Sequence, residues 1–104
     1  MQKRPLGATG LEVSPLGFGA ASLGDVYGEI DPAVGTRAVH AAIDRGINYF
    51  DTAPLYGFTL AEERLGAALE GRRDQVVLAT KCCRDTFEDF DFSAARVVAS
   101  CEES

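Results

Sequence analysis

The chain has 104 residues, enough for one small domain, and its 46% hydrophobic and 25% charged residues are ordinary for a globular protein. Its net charge of −6 argues weakly against nucleic acids or anionic membrane surfaces as partners. The longest apolar runs are too short to span a membrane, and no signal peptide is visible at the N-terminus. Because three cysteines, two of them adjacent, make a poor disulfide framework, we expect a cytoplasmic, reduced setting.

The chain begins with the pattern of a β-hairpin and a buried strand. A glycine-bounded turn at residues 7–10 separates two short apolar segments, which predicts a hairpin on the outside of the fold. Residues 16–20, Leu-Gly-Phe-Gly-Ala, predict a buried strand that another backbone or a ligand approaches closely. Whether Gly17 and Gly19 serve packing alone stays open at this point.

A helix follows a loop over residues 21–29, which is rich in small side chains. Asp31 is a suitable N-cap, Pro32 suits the first helical position, and Gly46 suits the position that ends a helix. The apolar stripe of this helix is expected at Val34, Ala38, Val39, Ala41, Ala42 and Ile43.

Two further strands each end on a polar side chain. The apolar run 47–50 predicts a buried strand leading into Asp51, and it must stop by Pro54, which cannot continue a central ladder. Residues 75–81 predict a third core strand that ends on Lys81.

Two more helices complete the pattern. Thr59 with Glu62 three residues later resembles a capping box and predicts a helix to about Glu70. Residues 82–91 predict a polar, irregular loop, and Ser93 is expected to cap the last helix. The expected apolar faces are Leu65, Ala68 and Leu69 in the first of these helices, and Ala94, Val97, Val98 and Cys101 in the second.

Alternation of strands and helices predicts an α/β fold with a parallel sheet, whose polar groups collect where the strands end. Asp51, Tyr56 and Lys81 would meet there as an acid, a phenol and an amine, which together can transfer protons. Taken singly, each has an ordinary alternative: an Asx-turn residue, a half-buried loop aromatic and a solvated charge, respectively.

The cysteines and the single histidine predict no metal site. Cys82, Cys83 and Cys101 are an odd number with two adjacent, which is a poor disulfide framework. We interpret Cys82 and Cys83 as ordinary buried thiols, with an approach of one of them to the site as the alternative. His40 is interpreted as a residue on the polar face of its helix.

Several motifs make the whole chain resemble the aldo-keto reductase family. The tail, residues 90–96, resembles the L-galactose dehydrogenase-like branch of that family. The motifs are Gly-Phe-Gly at 17–19, Gly-Ile-Asn-Tyr-Phe-Asp-Thr-Ala at 46–53, Tyr-Gly at 56–57, the helix with Glu62, Glu63, Leu65 and Gly66, and Ala-Thr-Lys at 79–81.

The resemblance implies a (β/α)8 TIM barrel with a nicotinamide cofactor, NADP or NAD. It also implies hydride transfer to or from a carbonyl or alcohol of a small sugar or aldehyde. Tyr56 would then be the general acid, Lys81 would stabilise its phenolate, and Asp51 would orient Lys81. Gly19, Ala20 and Asp51 itself would lie against the nicotinamide riboside.

The sequence departs from the family in its extent. Such barrels have about 250 residues, whereas this chain carries a hairpin and three strand-helix units, an incomplete barrel. We therefore expect residues 1–104 to be the N-terminal part of a single barrel domain, with the strand 75–81 as an open edge. The histidine of the family's catalytic tetrad would follow a fourth strand, and His40 cannot replace it.

Two alternatives to this enzyme stay open. One is a binding or regulatory subunit that has the family's shape and no catalysis. The other is a truncated remnant without function, which would self-associate through its open edge.

Overall fold

The computed structural model describes all 104 residues and places the strands in two sheets. β1 (Arg4–Pro5) and β2 (Glu12–Val13) pair antiparallel as the predicted hairpin. The main sheet is parallel, and its three strands lie in the order β3 (Phe18–Gly19), β4 (Tyr49–Asp51) and β5 (Val77–Ala79). The α/β order and the open edge at β5 are therefore confirmed, although the strands are shorter than predicted.

Three helices follow the strands of the parallel sheet: α1 (Pro32–Asp44), α2 (Leu60–Ala68) and α3 (Ala94–Glu103). α1 begins as predicted, because the Asp31 carboxylate accepts a backbone N–H of the first turn at 2.9 Å. Gly46 lies just beyond its end with a φ of +95°, a conformation that glycine adopts readily. None of the three helices combines the length and the apolar content that crossing a bilayer requires.

The buried stripe of α1 is confirmed at Val39 and Ala42, but it also includes a residue that the pattern did not predict. Gly35, Val39 and Ala42 are buried, and an added Cβ at Gly35 would come within 2.8 Å of the Leu23 side chain. The helix therefore approaches the loop before it through a glycine, which hydrophobic periodicity does not detect. The predicted positions that the structure leaves exposed are Val34 and Ala38.

The capping box predicted at the start of α2 is wrong. Thr59 precedes the helix with a φ of +77°, and its side chain makes no capping hydrogen bond. A capping side chain needs an extended backbone, which this residue lacks. The Glu62 carboxylate instead accepts hydrogen bonds from the hydroxyls of Thr80, at 2.5 Å, and Ser104, at 3.3 Å.

The hydrophobic core lies between the parallel sheet and the helices α1 and α2. Phe18 and Phe50 are register partners on the face of the sheet toward these helices, and their ring centroids are 5.1 Å apart. His40 is half-buried, and its Nε2 donates to the carbonyl of Ala68 at 2.8 Å, which ties α1 to the end of α2. The core residues are Ala20, Leu23, Val39, Ala42, Phe50, Ala61, Leu65, Ala68, Leu69 and Val76.

The segment after Lys81 is more ordered than the predicted irregular loop. Arg84 and Phe90 form an isolated antiparallel bridge. The Arg84 guanidinium lies 4.9 Å from the ring centroid of Phe90 and 5.9 Å from that of Phe87, within the range of cation–π attraction. These contacts fold residues 84–90 into a small hairpin on the surface.

α3 has the predicted cap but lacks the predicted buried face. The Ser93 hydroxyl accepts the backbone N–H of Arg96 at 3.1 Å. Only Ser100 is buried in this helix, whereas Val97 and Val98 are 40% and 58% exposed. The helix therefore rests on the rest of the chain through polar contacts.

Candidate active site

Lys81 and Asp51 meet at the edge of the sheet where β4 and β5 end. The Lys81 ammonium donates to both carboxylate oxygens of Asp51, at 3.0 and 3.1 Å, and to the carbonyl of Thr52 at 2.8 Å. The two charged side chains are 48% and 42% exposed, so solvent still reaches the pair. The Asp51 carboxylate bonds to Lys81 and not to a backbone N–H, which excludes the Asx-turn alternative.

Tyr56 lies beside the same ammonium. The Nζ atom of Lys81 is 5.1 Å from the centroid of the Tyr56 ring. Partial burial lowers the pKa of Lys81, but hydrogen bonding and attraction to Asp51, with a smaller contribution from Tyr56, raise this pKa above its usual value overall. Lys81 therefore remains a cation at neutral pH. The structure thus brings the three predicted residues together.

A strained loop carries Tyr56 into this position. Gly57, Phe58 and Thr59 have positive φ angles of +68°, +52° and +77° in succession. Such angles are costly for residues other than glycine, and they persist where the surroundings fix the backbone. Here the N–H of Thr59 donates to the carbonyl of Pro54 at 2.7 Å, which closes the loop around Tyr56.

Two glycines hold this loop against the 3₁₀ turn Ala21–Gly24. A Cβ added at Gly24 would collide with the carbonyl of Tyr56, and one added at Gly57 would collide with the carbonyl of Gly24. The obstacle in both cases is main chain, which cannot rotate away as a side chain can. This reciprocal glycine contact, Gly24 against Gly57, therefore lets the main chain next to Tyr56 pack directly on the 3₁₀ turn.

Gly17, just before β3, and Gly19, within β3, have different surroundings. A Cβ at Gly17 would meet the Tyr49 ring at 3.1 Å, so Gly17 is a packing glycine. A Cβ at Gly19 would meet nothing within 4 Å, and Gly19 is the register partner of Asp51. Ala20 is fully buried, and its N–H donates to the Asp51 carbonyl at 2.8 Å. Open space therefore remains beside Gly19, whereas the buried side chain of Ala20 leaves only its backbone for contact with a ligand.

Sequence reasoning missed two contributors to this geometry. The Thr52 carbonyl is the third acceptor for Lys81, and a main-chain oxygen leaves no signal in residue type. The second is Gly24, which the sequence shows only as one of several small residues in the loop over residues 21–29. Nothing in the sequence couples it to Gly57, because the two residues meet only once β3 and β4 are paired.

Two clefts, of about 620 and 470 Å³, are lined by none of Asp51, Tyr56 and Lys81. The first is between the start of α2 and α3, and the second is between α2 and β5. Asp51 lies on the opposite, open face of the sheet, in register with Gly19 and Ala79. No group of three histidine, cysteine or acidic side chains comes together as metal ligands would.

Comparison with known proteins places these residues in context. Residues 15–104 match the sequence model of the Aldo/keto reductase family. The chain is 50% identical over its whole length to L-galactose dehydrogenase from Arabidopsis thaliana, of which it covers 33%.

Two solved structures are also similar. An aldo-keto reductase from Bacillus halodurans in its holo form superposes with a TM-score of 0.85 at 38% identity, over 99% of this chain and 35% of its own. An aldo-keto reductase from Klebsiella pneumoniae in complex with NADPH gives a TM-score of 0.71 at 29% identity, over 88% of this chain and 30% of its own. The chain thus spans about a third of the length of the proteins it matches.

Proposed function

Because this chain belongs to the aldo/keto reductase family, we propose that it forms part of an enzyme that moves a hydride between a nicotinamide cofactor and a carbonyl or alcohol. Residues 1–104 would be the N-terminal part of a single (β/α)8 barrel domain. The observation that carries the proposal is the Lys81 ammonium held between Asp51 and Tyr56 at the ends of parallel strands.

The three side chains would divide the acid–base work. A free phenol has a pKa of about 10, so it needs a neighbouring cation to exchange a proton near neutral pH. Tyr56 would give its proton to the carbonyl oxygen, and the Lys81 ammonium would stabilise the resulting phenolate. Asp51, with the Thr52 carbonyl, would hold Lys81 in place.

The residues present fit a nicotinamide cofactor, NADP or NAD. When bound, the cofactor would supply or accept the hydride. The open space at Gly19, beside its register partner Asp51, would admit a flat ring and its ribose against the backbone. Ala20 would contribute to the same surface through its backbone only, because its side chain is in the core.

A small sugar or aldehyde is the proposed substrate class. The support is the 50% identity to a protein named L-galactose dehydrogenase, together with the tail at residues 90–96. We further propose membership of the L-galactose dehydrogenase-like branch. A cytoplasmic location is also proposed, supported by three cysteines that are all free thiols.

The test is a Tyr56→Phe variant of the full-length protein, assayed with a panel of aldoses and aldehydes and both nicotinamide cofactors. Turnover should fall by roughly 10²–10⁴-fold, because the proton donor is lost while the ring is kept. Cofactor binding, measured by fluorescence titration, should be unchanged.

Tyr27→Phe is the matched control, since Tyr27 is 82% exposed on a surface loop and should leave turnover unaltered. Undiminished turnover in Tyr56→Phe would remove Tyr56 from the mechanism. Tight cofactor binding by a wild-type protein that turns over no substrate would favour the non-catalytic binding subunit.

A further inference from the structure

Two thiols lie in contact directly beside the candidate active site. Cys82 and Cys83 follow Lys81 in the chain, and their Sγ atoms are 3.4 Å apart without a covalent bond. The prediction of two ordinary buried thiols is therefore only half right: Cys83 is buried, whereas Cys82 is exposed.

The backbone explains why adjacent cysteines face each other here. In an extended segment successive side chains point to opposite sides, which would separate the two sulfurs. Cys83 has a φ of +75°, which breaks this alternation and turns its side chain toward Cys82. Its carbonyl accepts the N–H of Asp91 at 2.9 Å, so the base of the surface hairpin fixes this conformation.

The two thiols differ in how readily they react. The neighbouring Cys82 thiol, then burial, then the charges of Asp91 and Asp85 raise the pKa of Cys83. Cys83 is therefore held as a neutral thiol, out of solvent. Cys82 is the accessible one, and the thiolate of an exposed cysteine is the form that attacks an oxidant.

We propose that Cys82 and Cys83 form a peroxide-sensitive dithiol, which closes reversibly to a disulfide between neighbouring residues. The Cys82 thiolate attacks one oxygen of a hydroperoxide, which gives a sulfenic acid and releases an alcohol, or water from hydrogen peroxide. The Cys83 sulfur then attacks the Cys82 sulfur, the S–S bond forms, and the sulfenic oxygen leaves as water. One hydroperoxide is reduced by two electrons, and the two thiols lose two hydrogen atoms.

The disulfide would be easily reopened. Consecutive Cα atoms are about 3.8 Å apart across a trans peptide, whereas disulfides usually join Cα atoms roughly 4.4–6.8 Å apart. The bond therefore forms under strain, and strained disulfides are the reducible, regulatory kind.

The test is a peroxide titration of the full-length protein, followed by denaturation, alkylation and mass spectrometry. Cleavage after glutamate releases residues 71–88, which contain Cys82 and Cys83 but not Cys101. We expect this peptide to lose two hydrogens and to take no alkyl group after peroxide, and to take two alkyl groups again after dithiothreitol. Cys101→Ser, which changes an exposed thiol outside the pair, should respond in the same way.

Cys82→Ser and Cys83→Ser should each abolish the loss of two hydrogens. Closure in the native protein should be about tenfold or more faster than in the urea-denatured protein, because the fold holds the sulfurs together. Equal rates would overturn the proposal. So would sulfinic acid at Cys82 with Cys83 still alkylated, or a disulfide from either residue to Cys101. The readout is a mass, so it does not depend on turnover.

Discussion

The parallel sheet packs with α1 and α2 into one layer. This layer and the segment 82–104 are stabilised in different ways. The layer buries ten apolar side chains in one cluster, among them Phe50 and Leu65. The segment 82–104 leaves most of its apolar side chains in solvent, and Phe92 is 75% exposed.

Charges take the place of apolar contacts in the segment 82–104. The Arg96 guanidinium lies 2.7 Å from the Glu103 carboxylate and 3.1 Å from that of Asp85. Exposed ion pairs of this kind stabilise little. The comparison teaches that the core fixes the position of the strands that lead to Asp51 and Lys81, while α3 is held mainly by polar contacts on its surface.

The largest effect expected from this difference is on stability. Phe50→Ala should lower the free energy of unfolding by about 3–5 kcal/mol, because Phe50 is fully buried against Phe18. Phe92→Ala, the matched change in the segment 82–104, should alter it by less than about 0.5 kcal/mol. Urea titration of both variants measures the contrast. If Phe92→Ala lowered the free energy of unfolding as much as Phe50→Ala, the segment 82–104 would have a buried apolar face.

A smaller effect is expected where the layer positions Tyr56. Gly24→Ala should cost about 1–3 kcal/mol and lower turnover, since the new methyl meets the main chain of Tyr56. Gly66→Ala is the control: it lies exposed in α2 with open space around it and should gain roughly 0.5–1 kcal/mol. Thermal melts and steady-state assays of both variants test this. If Gly24→Ala changed neither the thermal stability nor the turnover, the reciprocal glycine contact would not restrict the residue at this position.

The smallest effect concerns pH. The Ser93 N–H and hydroxyl, with Arg96 nearby, lower the pKa of Asp91, and Arg96 lowers the pKa of Glu103. A carboxyl whose folded pKa is depressed stabilises above its unfolded pKa, and this is lost as pH falls through the folded value. We therefore expect α3 to loosen as pH falls below about 4, before α1 does.

Amide hydrogen exchange, corrected for intrinsic rates, should reveal lost protection in α3 first. Glu103→Gln should remove part of this pH dependence. If α1 and α3 lost protection together at every pH, the separation of the two regions would be wrong.

The sequence was sufficient for features set by local chemistry. Asp31 and Ser93 cap their helices as predicted, because a capping side chain reaches only two or three residues along its own backbone. The meeting of Asp51 and Lys81 was also predictable, since parallel strands end at one edge.

Features set by contact between distant segments were not predictable. Periodicity did not detect that Gly35 is buried in α1, because a glycine contributes no hydrophobic side chain to the pattern. The capping pattern at Thr59 failed because the backbone there is left-handed, in a loop closed by the hydrogen bond from the Thr59 N–H to the carbonyl of Pro54. The roles of Tyr56, Lys81 and Asp51 in catalysis stay a prediction.

The reciprocal glycine contact also bears on how this protein can change under selection. A side chain at Gly24 or Gly57 would meet main-chain atoms, so shortening a neighbouring side chain does not make room for it. Replacing both at once worsens the collision instead of relieving it. In a randomised library selected for activity, we expect glycine to be recovered at both positions, whichever residues are selected elsewhere.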